Sequence, residues 1–386
     1  MSDQWTPMAA AAAASTPAPW RVLTEFGYFV ALCAALGATL GYLLVVRPAL
    51  RAAQTDTETG PVRQRASVLL AWSGVLLVLG GYAQLAGRVA RADSPVSSGP
   101  AAAPSRIAAF LGVPAKSGAW ISSGHLILAQ NLCFAVAAVL LLALFIPAMR
   151  TRLGLIAAIA APVAVLGTVV NSVPTDFAAE TTDSTLDTIA TQLHILAGCT
   201  WLGGLATLTL LARVRRTVDE RAGLLFARIW QRFSAVALVS VGAVLTSGAW
   251  LAWRHVGNVT QLFTTTYGRF LLVKLLLVAV LVAAGAYNQF VLTPKVTRAL
   301  RAGDHRRGFS LILRHFPGMV AVEAVLGAGV LLIVPFLSGS ARKQAGDLGS
   351  PDFDAGILAI GVVLVAGLAA SLYTTHRVSS LLARQS

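Results

Sequence analysis

Long apolar runs alternate along this chain with short polar stretches. A membrane-crossing helix needs ~20 mainly apolar residues. Nine runs come near that length: 26–46, 67–87, 124–149, 153–173, 191–213, 232–257, 271–294, 316–337 and 356–373. The pattern predicts an all-α fold, a polytopic membrane helix bundle of about nine transmembrane helices. Within the first run, Gly37 and Gly41 are spaced to let a neighbouring helix approach closely. The stretch 192–294 organises the rest, because it holds three runs and most of the polar residues inside them.

Composition agrees with this reading. Of 386 residues, 56% are hydrophobic and only 12% charged, about half the charge of a soluble domain. The net charge of +14 does not point to nucleic acid, since the basic residues punctuate apolar runs and form no continuous patch. The partner they imply is a lipid bilayer. Arg47, Arg51, Arg63 and Arg65 follow the first run, Arg150 and Arg152 the third, Arg213 to Arg232 the fifth, and Lys295 to Arg314 the seventh. These are alternate loops. The loop after the fourth run has no basic residue and carries Asp176, Glu180, Asp183 and Asp187. Basic loops stay in the cytoplasm, which predicts the N-terminus out and the C-terminus in. The loop 88–121, with Arg91, Arg106 and Lys116, departs mildly from the alternation. The first 25 residues lack a basic residue before their alanine run. They are expected to form an extracytoplasmic tail, not a signal peptide.

Ionisable groups inside apolar runs are expensive and mark candidate sites. His194, Lys274 and Glu323 are such groups. At ~1.5 Å per residue, His194 lies ~10 Å below the start of its helix at Asp187, and Lys274 lies at nearly the same depth. His125 and His255 fall at the outer ends of their spans. Glu323 lies toward the opposite face. It is therefore expected to pair with Asn288 and not with Lys274, which is expected to reach outward toward Asp187 or the acidic loop.

Asp187, Thr191, His194, Gly198 and Trp201 follow one another at steps of four and three, so they share one helix face. Gly198, Gly203 and Gly204 leave room beside His194 for a close neighbour or a ligand. Cys199 lies five residues on, about 140° round the helix, on the face of Gln192. His194 has three readings: a structural hydrogen-bond donor, a ligand to copper or haem iron, or a proton relay. Imidazole suits copper and iron. A ligating histidine needs a partner on its other nitrogen, and Gln192 or Thr191 are candidates. With four methionines in the chain, an outer metal site must rest on His194, His125 and His255, with Cys133 and Met8 as further candidates. The three cysteines Cys33, Cys133 and Cys199 lie in apolar runs and suggest no disulfide framework.

The residues H-x6-W-x-G-G at His194, Trp201, Gly203 and Gly204, the run 232–257, Tyr267-Gly268-Arg269 with Lys274, and the downstream Asn288-Gln289-Phe290 resemble the copper resistance protein D family. The resemblance covers 193–337. It implies a multi-span inner-membrane protein associated with copper uptake or copper handling, with a copper ion as cargo. It marks His194, Trp201, Tyr267, Gly268, Arg269, Lys274 and Asn288 as the positions carrying the pattern. The organisation expected is a tail at 1–25, a four-span region at 26–180, a family-like module with a ninth span at 186–374, and a cytoplasmic tail at 375–386. An extracytoplasmic copper-binding protein is a possible partner. Two alternatives stay open: a membrane electron carrier binding b-type haem, and a factor delivering copper to a respiratory oxidase. No P-loop or hydrolase motif occurs, so no enzymatic activity is expected.

Overall fold

The computed structural model describes residues 17–52, 56–93, 103–212, 220–287, 322–323 and 325–346. All regular elements among them are helical. Helix α1 spans Pro19–Gly41 and continues through a π-helical turn, Tyr42–Val46, into Arg47–Arg51. It begins ahead of position 26. Pro19 occupies its first turn, where a missing N–H costs nothing. Helix α2 is Asp56–Asp93, and the short α3 is Pro104–Leu111. Helix α4 is Ser123–Leu142, capped by the Ser122 hydroxyl, which accepts from the His125 N–H. Helix α5 is Leu153–Val170 and carries Pro162 in its interior. Helix α6 is Thr182–Ala212, α7 is Glu220–His255, α8 is Gln261–Thr264 and α9 is Thr266–Tyr287.

Among the described residues, seven helices are long and apolar enough to cross a membrane: α1, α2, α4, α5, α6, α7 and α9. The eighth expected span is represented by a shorter apolar helix, α10, Val325–Phe336. It is followed by α11, Ala341–Gln344. The ninth expected span, 356–373, lies outside the described residues, as do Asn288, His305, His315 and His376.

Helix α1 is the centre of the bundle. It packs along α2 and α6 and touches α5, while α4 pairs with α5 and with α2, and α7 pairs with α6. Its most apolar stretch is 67% buried, against 17% for α7 and for α9. Two large apolar clusters fill most of the described interior. One gathers Val45, Leu70, Leu141, Leu153, Leu208 and Phe233. The other surrounds Tyr28, Leu32, Cys33, Leu77, Phe134 and Cys199. In hydrocarbon, helices gain little from apolar contact alone, so small residues that let backbones meet set the tightest contacts. Gly37 of α1 and Gly203 of α6 are that contact. A Cβ on Gly37 would collide with the Gly203 backbone, and one on Gly203 with the Cys33 carbonyl. Gly41 in turn lies over Gly204. Because Gly37 meets Gly203 and Gly41 meets Gly204, α1 and α6 run parallel.

Candidate functional site

The face of α6 read from sequence is real, and α7 covers it. Asp187 accepts from the Trp250 indole N–H at 2.8 Å and from Arg254 Nε at 3.0 Å. One helical turn earlier, Asp183 pairs with Arg254 Nη1 at 2.8 Å. His194 Nδ1 lies 3.2 Å from Ser247 Oγ, and Gly198 faces Val244. Reading up α6 from Asp187 to Gly198 thus reads down α7 from Arg254 to Val244. The room beside His194 is taken by Gly248, whose added Cβ would stand 3.2 Å from the imidazole Cε1. Trp201 continues the face into the core and is 8% exposed.

Ser247 decides the state of the ring. Its hydroxyl donates to the Ala243 carbonyl at 2.6 Å, spending its one proton. With that proton on a carbonyl, the oxygen is left to accept from His194 Nδ1–H, and in that tautomer the lone pair of a neutral imidazole falls on Nε2. That is the tautomer a metal ligand needs, with its other nitrogen held as ligating histidines usually are. The partner expected from Gln192 or Thr191 is instead Ser247 on the next helix. The Gln192 Oε1 is buried with no hydrogen-bond partner.

His255 closes α7. Its Nδ1–H donates to the Leu251 carbonyl at 2.8 Å, and its ring stacks on Tyr267 at 6.0 Å and 9°. His125 is exposed at the start of α4, its Nδ1 2.8 Å from Ser122 Oγ. Among the described residues, no three His, Cys, Asp or Glu side chains come together around a point that holds a metal ion. The expected grouping of His125, His194 and His255 is not formed: the three stand on separate helices, each with its Nδ1 held by its own neighbour.

Lys274 on α9 lies within electrostatic range of the His194 ring. The expectation that it reaches Asp187 is corrected, because Arg254 and Trp250 occupy that carboxylate. Glu323 is buried, 5% exposed. Among the described residues no ion pair joins it to Lys274. Its expected partner Asn288 is outside them. Half of the acidic loop's charge is also engaged locally, through Asp183 and Asp187. Glu180 accepts from Ser184 at 2.5 Å, and Asp176 from the Ala178 N–H at 2.9 Å.

The Tyr267-Gly268-Arg269 element has a structural job. A Cβ on Gly268 would collide with the Gln261 carbonyl, so glycine lets α9 begin directly against α8. Thr265 Oγ1 accepts from the Gly268 N–H at 3.0 Å, and Arg269 Nε donates to the Phe263 carbonyl at 2.8 Å. The Tyr267 N–H donates to Gln344 Oε1 at 3.0 Å, tying α9 to α11.

Two further features escaped the sequence reading. One is Arg254 as the counter-ion of Asp183 and Asp187. The other is a pair of thiols: Cys33 Sγ and Cys199 Sγ are 3.4 Å apart. The signal for the second was present. Cys33 precedes Gly37 by four residues, and Cys199 precedes Gly203 by four. Parallel packing on those glycines brings the cysteines into register.

Residues 227–337 match the family described as copper resistance protein D. That segment is similar to the copper resistance protein D family. It takes in α7, α8, α9 and the described part of α10, and so Ser247, Arg254, His255, Tyr267, Lys274 and Glu323. Helix α6, with His194, Trp201 and Gly203, precedes it. The chain is similar to the copper transport protein CutJ of Bacillus subtilis (strain 168), 34% identical over 134 residues, which is 33% of this chain and 24% of that protein. It is also similar to the copper resistance protein D of Pseudomonas syringae pv. tomato, 30% identical over 142 residues, which is 36% of this chain and 44% of that protein. The chain thus spans less than half the length of either relative. No solved structure matches it. The matched segment supplies the α7 partners of the α6 face, so the candidate site straddles its boundary.

Proposed function

We propose that this protein handles copper at the cytoplasmic membrane as a carrier, not an enzyme, taking up or passing on the ion through an extracytoplasmic histidine. The observation that carries this reading is the Ser247–His194 contact, which holds an intramembrane imidazole with its Nε2 lone pair free. Support comes from the segment similar to the copper resistance protein D family, which contributes Ser247, and from copper transport as the named role of one relative. Imidazole is a good copper ligand. His255, with its Nδ1 also spent on a carbonyl, and His125 at the head of α4 serve as outer stations before His194, each binding the ion singly. The N-terminus lies outside and the C-terminus in the cytoplasm. An extracytoplasmic copper-binding protein is the donor or acceptor at that face.

The test is His194→Gln against Ser247→Ala in full-length protein. An amide keeps a hydrogen bond to the neighbouring helix and costs on the order of 1 kcal/mol as a structural substitution, but it is a poor copper ligand. Copper accumulation by cells should fall to the level of cells lacking the protein in His194→Gln, with expression and thermal stability retained. Ser247→Ala should reduce accumulation by roughly 10–100-fold in copper affinity, the usual cost of losing the group that orients a ligand. Wild-type accumulation in His194→Gln defeats the proposal.

A further inference from the structure

We infer that Cys33 and Cys199 form a two-coordinate Cu(I) site inside the bundle, distinct from the histidine face. Both thiols are buried, at 6% and 3% exposure, and they face each other across the tightest helix contact in the molecule. Thiolates select Cu(I) over harder ions. Metal–thiolate bonds are about 2.3 Å long, so a linear S–Cu–S unit spans roughly 4.6 Å. The sulfurs start at 3.4 Å, and rotamer adjustment of about 1 Å opens them to that span without moving the glycine-locked backbones. The site lies outside the segment that matches the copper resistance protein D family.

Binding is a ligand exchange with no change of oxidation state. Cu(I) arrives reduced on a donor ligand, two S–H bonds break, two Cu–S bonds form, and two protons leave to water, so the site gains one negative charge. The surroundings offer a route for the protons and an offset for the charge. A small cavity lined by Tyr28, Gln84, Arg88, Gln130 and Asn131 shares Tyr28 and Phe134 with the apolar cluster that holds the thiols. Tyr28 is within electrostatic range of both Arg88 and Cys199. The Arg88 guanidinium is held by Gln130 Oε1 at 3.2 Å. The Gln84 Oε1 is buried and has no hydrogen-bond partner, an acceptor suited to a water on that route. On α6, Gln192 with its unpaired Oε1 sits two turns from Cys199 on the same face. On α6, Cys199 faces α1 and His194 faces α7, so the two sites lie on different sides of that helix.

The inference takes the identity of the metal from the copper reading and its geometry from the thiols alone. The experiment titrates full-length, reduced protein in detergent with Cu(I) under anaerobic conditions, against a competing Cu(I) chelator. Wild type and Cys133→Ser should bind one ion at the dithiol. Cys33→Ser and Cys199→Ser should each lose more than about 100-fold in affinity, beyond the roughly 10–100-fold that loss of an outer-shell partner costs. X-ray absorption of Cu(I)-loaded wild type needs no variant to fold, and it should show a two-coordinate shell of sulfur. A shell of nitrogen or oxygen, or wild-type affinity in both cysteine variants, overturns the inference. The two readings fail separately. If His194→Gln loses copper accumulation while both cysteine variants bind Cu(I) normally, the dithiol falls and the histidine stands. If His194→Gln accumulates copper normally while Cu(I) binds through sulfur, the histidine falls and the dithiol stands.

Discussion

At the scale of single residues, the Asp183 end of the α6–α7 pair is held by one guanidinium. The Arg254 side chain is 9% exposed and bridges two carboxylates, Asp183 and Asp187, that are 24% and 30% exposed. Asp187 also takes the Trp250 indole, so three groups converge on it. Removing the cation leaves two carboxylates a helical turn apart with nothing between them. Breaking a fully buried pair costs about 3–5 kcal/mol. These acids keep part of their hydration, so Arg254→Gln should cost less, roughly 1–3 kcal/mol, read as a lower unfolding midpoint in detergent. Arg254→Lys keeps the charge but not the fork that spans both acids, and should fall between. An unchanged midpoint in Arg254→Gln would show that the contact contributes nothing to holding α6 against α7. The same residues set the orientation of His194, because they fix the register in which Ser247 reaches its ring.

At the scale of elements, the contact between α1 and α6 depends on the absence of side chains. A Cβ at Gly203 meets backbone, the Cys33 carbonyl, which cannot rotate away. Gly203→Ala should therefore push the helices apart and cost about 1–3 kcal/mol, the usual range for overpacking. Gly198→Ala on the same helix is the control. Its Cβ would meet only Val244 Cγ2 at 4.0 Å, so its midpoint should match wild type. Equal effects from the two would mean that the glycines act through helix propensity, not through packing. This contact also shows what a sequence conveys. The apolar runs located the seven described spans, because length and hydropathy are local properties. The small residues at Gly37, Gly41, Gly203 and Gly204 announced a close approach. Which helix would fill the space beside Gly203 was not written locally, since α1 lies far away in the chain. For the same reason Ser247, Arg254 and the Cys33–Cys199 register went unread. Each needs the relative rotation and shift of two helices, and only packing sets those. The separation of His125, His194 and His255 went unread on the same ground: depth placed them toward one side of the bundle but said nothing of their distance across it.

At the scale of the molecule, the parallel course of α1 and α6 bears on orientation. Four helices of crossing length, α1, α2, α4 and α5, precede α6. If each crosses once, the first and fifth must run in the same direction, and Gly37 against Gly203 with Gly41 against Gly204 requires that. The end of α6 carrying Asp183 and Asp187 is then on the same side as the start of α1. Arg47 and Arg51 stand at the other end of α1, and Arg150 and Arg152 stand between α4 and α5. Basic segments are retained in the cytoplasm, so the Asp183–Asp187–Arg254 end should face outward and the 213–232 segment inward. Reporter fusions after position 220 and at the C-terminus check this, and both should read cytoplasmic. A fusion placed in the loop 173–181 should read extracytoplasmic. Activity of a periplasmic-type reporter at either of the first two positions would invert the bundle or add a crossing, and would put His194 nearer the cytoplasmic face.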